Sequence, residues 1–152
     1  MPARRLVALV VLALAAAPVG AAGKKSDSVV KAKATAGKVE EGKQVVTITL
    51  EIDPRYHLYG NPVGVEDLEE SQTTVRITGK GKPQLVKVTY PEGEIVPDKA
   101  VGDYRVYKGK ITITAVIERA RGDDNPLDVA VKVHAFSLAL HLLPATIQLS
   151  VP

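Results

Sequence analysis

Few residues of this chain are equipped for chemistry. It has three histidines, His57, His134 and His141, and no cysteine. Without a thiol, thiolate attack, disulfide exchange and thiolate metal ligation have no atom to act through. His134 and His141 flank Ser137, which invites comparison with a Ser–His–acid triad. Such a triad needs the serine on a special turn and an acid to orient the imidazole. Ser137 instead sits between Phe136 and Leu138, and no acidic residue adjoins either histidine. No glycine-rich phosphate loop follows a strand-like run. The expectation is a protein that is not an enzyme, with no catalytic residues and no cofactor. Imidazole suits copper or zinc. His134 and His141, with His57 as a candidate third ligand, therefore define an alternative: a small periplasmic metal-binding protein. Two ligands are too few for a closed structural site.

The two later histidines lie in or beside the most unusual stretch, Phe136–Leu143, which reads FSLALHLL. It must join two strands, yet it contains no glycine, proline, asparagine or aspartate. Each large apolar side chain left in water forgoes about 1.5–3 kcal/mol of burial. Either the stretch folds back to close one end of the domain, or it is a contact surface for a partner. Phe136 shares strand parity with Lys132 and His134, so it is expected to project away from the core. The expected partner-binding residues are Phe136, Leu138, Leu140 and His141, with Phe136 and Leu140 as anchors.

The elements that must position these residues alternate with period two. In Gln44–Asp53, Val46, Ile48, Leu50 and Ile52 share one face. Lys110–Glu118 repeats the device with Ile111, Ile113, Ala115 and Ile117. Leu127–Ala135 and Thr146–Val151 do the same. These are half-buried antiparallel strands. Weaker strand candidates are Ser28–Ala36, Thr73–Gly79 and Gln84–Tyr90. Gly37–Gly42, Gly79–Pro83, Pro91–Pro97 and Arg121–Pro126 are turn-rich gaps. Only Val65–Ser71 has helical character. About seven short strands divided by turns predict an all-β, immunoglobulin-like antiparallel β-sandwich.

The first residues have a different character. Arg4 and Arg5 precede an apolar run, Leu6–Ala17, that is short for a membrane span. Small residues Gly20, Ala21 and Ala22 follow. This pattern predicts a cleavable signal peptide over 1–22, a short flexible lead-in over 23–27 and one domain over 28–152. The product is expected to be periplasmic or secreted, with no membrane span after signal cleavage. The formal net charge of +3 is nearly balanced once Arg4 and Arg5 are removed. Lysines are dispersed and aromatics are few, so nucleic acid is not an expected partner.

Three segments carry a family likeness over most of the chain after Ser28. Ile52–Asn61 (IDPRYHLYGN) resembles the end of a strand bearing a Gly-Trp-His-Ile-Tyr type motif. Tyr90–Pro91 followed by Tyr107–Thr114 (YKGKITIT) resembles a Tyr-Pro element and a later Tyr-x-Gly strand. Val133–Thr146 (VHAFSLALHLLPAT) resembles a hairpin in which a strand runs into two cysteines and a proline-containing exit. Together they resemble the N-terminal periplasmic domain of the thiol:disulfide interchange protein DsbD. The resemblance implies an immunoglobulin-like sandwich that relays electrons in periplasmic thiol–disulfide exchange. It also implies thioredoxin-like or membrane redox proteins as partners. Phe136 and His141 then stand at the two cysteine positions. The aromatic cap that shields the pair in that family would fall within Asp98–Asp103, which offers Ala100 and Val101. The resemblance thus implies a scaffold kept for binding after the redox pair was lost.

Overall fold

The computed structural model describes residues 23–152. The signal peptide expected over 1–22 lies outside the described residues. Eleven strands run in chain order: β1 (Val30–Ala36), β2 (Lys43–Ile52), β3 (His57–Tyr59), β4 (Thr74–Gly79), β5 (Gln84–Thr89), β6 (Glu94–Val96), β7 (Tyr104–Tyr107), β8 (Lys110–Glu118), β9 (Leu127–Val133), β10 (Ala135–Phe136) and β11 (Ala145–Val151). Short 3-10 turns, Ser26–Val29 and Glu66–Ser71, are the only helical pieces among the described residues.

Every strand pairing is antiparallel. One sheet has the order β1-β2-β8-β5, a second β11-β9-β4, and a third, built from short strands, β10-β3-β7-β6. The alternation expected from the sequence makes the core. Val46, Ile48, Leu50 and Ile52 of β2 and Ile113, Ala115 and Ile117 of β8 are buried against Leu127, Val129, Val131 and Val133 of β9, with Val75 and Ile77 of β4. Threonines on the other face of β2 and β8 stay in contact with solvent, as a sheet with one wet face requires. The result is the predicted immunoglobulin-like sandwich.

Two tyrosine hydroxyls fasten the sheets together: Tyr107 reaches from β7 to the loops after β3 and β5, and Tyr90 links the end of β5 to β4. The Tyr107 hydroxyl accepts from the Asn61 N–H at 3.0 Å and lies 2.9 Å from the Pro91 carbonyl. The Tyr90 hydroxyl accepts from the Val75 N–H at 2.9 Å. Burial raises the pKa of both phenols, so they remain neutral hydrogen-bonding struts.

Residues 23–27, expected as a lead-in, include two that contact the domain. Lys25 forms a parallel bridge to Leu143, and Ser26 is fully buried. Its side chain has hydrogen-bond work that composition does not reveal.

Candidate functional site

β9 continues past His134 into β10, and there the chain changes partners. Through Val133 it pairs with β4 and β11, whereas Ala135 and Phe136 pair with Leu58 and His57 of β3. Beyond β10 the chain turns at once. The Ser137 N–H donates to the Leu140 carbonyl at 2.8 Å, and the Leu142 N–H donates to the Ala135 carbonyl at 2.9 Å. The turn manages without glycine, proline, asparagine or aspartate because Ser137 does their work. Its Oγ accepts from the Leu140 N–H at 3.1 Å and from the Ala139 N–H at 3.4 Å.

The two flanking backbone bonds make Phe136 and His141 a directly opposed, non-hydrogen-bonded pair. Side chains approach most closely in such pairs, and these two rings stack at 5.5 Å. On its other side Phe136 faces His57 at 5.8 Å. A row His141–Phe136–His57 therefore runs from the returning arm of the hairpin across β10 to β3. Tyr59 stacks on Phe136 at 4.6 Å, and Tyr104 lies 6.3 Å away. Phe136 points away from the main core, as its parity requires, but it is half-buried among these rings rather than free in solvent.

The leucines divide. Leu142 is 3% exposed and closes the core, whereas Leu138 at the turn is 110% exposed. Leu140 and Leu143 are also exposed, as is His141. Folding back and facing outward thus belong to different residues of one hairpin. Tyr59 and Tyr104 were not among the sequence candidates. The signal for Tyr59 was its parity with His57 in His57–Tyr59, which puts both rings on one face of β3.

His134 is half-buried. Its Nδ1 lies 2.9 Å from the Ser71 hydroxyl, and its ring meets Tyr59 edge-on at 5.4 Å. Burial pushes its pKa down, a hydrogen bond with the Leu142 backbone opposes this, and the neighbouring His141 and Lys132 add to it. Among the described residues no group of three His, Cys, Asp or Glu side chains is arranged to hold a metal ion. His134 is engaged by Ser71 and His141 is stacked on Phe136, so the metal-binding alternative finds no support.

The stretch Asp98–Asp103 is a self-contained turn between β6 and β7. Asp98 Oδ1 accepts the N–H groups of Ala100 at 2.7 Å and Val101 at 3.1 Å. Gly102 takes φ of +100°, a conformation that favours glycine. The loop places no aromatic over Phe136. Tyr104, the first residue of β7, supplies the nearest ring from this side.

An all-antiparallel sandwich with this strand pattern is an immunoglobulin-like domain, here carrying a half-buried ring cluster beneath an apolar hairpin. The chain belongs to the family described as thiol:disulfide interchange protein DsbD, N-terminal, which it matches over residues 25–137. Two solved structures share the fold. The reduced N-terminal domain of DsbD from Neisseria meningitidis is 13% identical, with 82% of this chain and 85% of that chain covered and a TM-score of 0.53. The N-terminal periplasmic domain of ScsB from Proteus mirabilis is 14% identical, with 80% of this chain but only 44% of that chain covered and a TM-score of 0.56. No curated protein matches the sequence. The chain has no cysteine, although its family is described by thiol:disulfide interchange. Among the described residues no helix is long and apolar enough to cross a membrane.

Proposed function

We propose that this chain is a redox-inactive, protein-binding module of the periplasm, and that the hairpin Phe136–Leu143 is its contact surface. The observation that carries this reading is Leu138, a large apolar side chain wholly in solvent at the tip of a hydrogen-bonded turn. Folding gains nothing from leaving it there. Leu140 and His141 continue the surface, and Phe136 with its ring neighbours forms a firm base beneath it. Family membership supports a protein partner, and the likeness to the periplasmic domain of ScsB supports the periplasm as the compartment. The partners to try are thioredoxin-like proteins and membrane redox proteins of that space.

The test is a calorimetric titration of the chain with a purified periplasmic thioredoxin-fold protein, repeated after the partner's thiols are alkylated and in excess reductant. The expected result is one affinity in all three conditions, because no mixed disulfide can form. An insulin-reduction assay with the chain alone should remain at blank. Binding that vanishes on alkylation, or reduction above the blank, overturns the reading.

A further inference from the structure

Ser26 is a fully buried polar residue close to the start of the described chain. Its hydroxyl donates to the Leu143 carbonyl at 2.7 Å and accepts the Ala135 N–H at 2.8 Å. Its backbone N–H also donates to the Leu143 carbonyl at 2.8 Å, and the Leu143 N–H donates to the Lys24 carbonyl at 3.0 Å. Lys24–Ser26 is thus a strap laid along one arm of the hairpin, and the serine side chain reaches the other arm.

The reach fills a gap in the ladder. In a regular hairpin the residues next to the pair Phe136–His141 on the base side, Ala135 and Leu142, exchange both backbone bonds. Only one is made here, from the Leu142 N–H to the Ala135 carbonyl. The Ala135 N–H turns to Ser26 instead. The hydroxyl takes the place of the missing rung and spans to Leu143, one residue further along the opposite arm.

We infer that Ser26 is the positioning residue of this hairpin, holding its two arms at the spacing that stacks Phe136 on His141 and sends Leu138 outward. Its functional meaning rests on the hairpin being the contact surface; its geometry does not. Alanine at this position would leave the buried Ala135 N–H without a partner, and such groups are nearly always paired in folded proteins. The arms would then open at their base while the main sandwich, built from other residues, stays closed.

The spacing of the arms can be read directly. A non-hydrogen-bonded pair has Cα atoms about 4.5 Å apart, inside the roughly 4.4–6.8 Å range of disulfides. The double substitution Phe136→Cys and His141→Cys, made with and without Ser26→Ala, reports that spacing as a thiol–disulfide equilibrium against glutathione. Ser26→Ala is expected to weaken the bridge at least tenfold, a rise of about 30 mV in its potential. In the chain without added cysteines, Ser26→Ala should accelerate hydrogen exchange at the Ala135 amide at least tenfold more than at Ile48 in the core. An unchanged potential, or equal acceleration at both amides, overturns the inference. If the double substitution does not fold, the exchange ratio decides alone. Neither readout involves a partner, so a failure of the proposed binding function leaves both unmoved and is detected separately by titration.

Discussion

Two connections between neighbouring strands invert what a fold alone would choose. Arg119–Pro126, between β8 and β9, is polar and turns the charged side chains of Arg119 and Asp123 inward. Phe136–Leu143, from β10 toward β11, is apolar and its tip faces water. In the first, Arg119 is only 7% exposed. Its guanidinium lies 3.1 Å from Asp123 and 3.0 Å from Gln44 Oε1, and it also donates to the Asn125 carbonyl. Asp123 in turn accepts the Asn125 backbone and side-chain N–H groups at 3.1 Å and 2.6 Å. The described structure leaves no buried side-chain polar atom without a partner. The polar loop is therefore explained by its own hydrogen bonds, as a buried charge must be. The apolar loop is not explained this way: Leu142 serves the core, while Leu138 lies in solvent and Leu140 is 47% exposed. Stability accounts for the first loop; the second is the surface proposed above to meet a partner.

The largest effect should come from breaking the polar loop. Arg119→Met removes the cation, leaving Gln44 Oε1 without its donor and Asp123 held by Asn125 alone. Removing one partner of a paired charge is destabilising because the other is left undercompensated. The expected outcome is a lower denaturant midpoint at constant slope, with partner binding intact in the folded protein. A stability change near zero would mean that the network is replaceable and would remove one side of the comparison.

Phe136→Ala should rank second, because Phe136 belongs partly to each class. Full burial would predict a loss of about 3–5 kcal/mol. A half-buried ring should lose nearer 2 kcal/mol, of which ring–ring pairing supplies about 0.5–1.5 kcal/mol. If Phe136 is also an anchor, partner affinity falls at least tenfold, about 1.4 kcal/mol. Lost stability with unchanged affinity would make Phe136 a strut beneath the surface and confine the contact to Leu138, Leu140 and His141.

The two loops also differ in how far the sequence revealed them. Long strands were legible because β2, β8, β9 and β11 each hold several alternations, so the buried face is written out in Val46, Ile48 and Leu50 or Val129, Val131 and Val133. The site sheet was not. β3 and β6 have three residues and β7 has four, too few for a period to register. Its members are set by tertiary pairing, with Tyr107 and Tyr59 held against residues far along the chain. The hairpin drew attention as an apolar run without turn residues, but its turn depends on one serine hydroxyl at Ser137. Ser26 was hidden for the same reason: a small polar residue in a polar segment carries no pattern, and only the fold brings Ala135 and Leu143 to it.

Acid should separate the loops by window. Asp123 is held below the usual carboxylate range, first by hydrogen bonds from Asn125 and then by Arg119. A depressed carboxylate stabilises the fold above its unfolded value of 3.8 and loses that contribution as pH falls through the folded value. His134 is depressed too, chiefly by burial, but it is a base. Below its unfolded value of 6.5 the unfolded chain takes up the proton more readily, so stability falls as pH drops below that value. Between pH 7 and 5 the decline should come from the hairpin end, and His134→Gln should flatten it. A decline that persists in the variant would assign the titration elsewhere.

The smallest effect on stability should come from the residue with the greatest proposed role. Leu138→Asp changes a side chain that touches solvent on all sides at the tip of a turn closed by Ser137 and Leu140. Surface substitutions of this kind usually stay within about 0.5 kcal/mol, and the turn's bonds use backbone atoms and the Ser137 hydroxyl only. The melting temperature should therefore barely move. A partner that covers Leu138 would have to bury a carboxylate, and binding should weaken at least tenfold, more than 1.4 kcal/mol. That combination, unchanged stability with lost affinity, is the opposite of the result expected at Arg119. It is also what distinguishes a contact surface from a poorly packed end. If Leu138→Asp binds as the parent does, the exposed leucine is incidental. If instead the variant unfolds more easily, Leu138 packs in solution against something within the chain, and the contrast between the two loops fails.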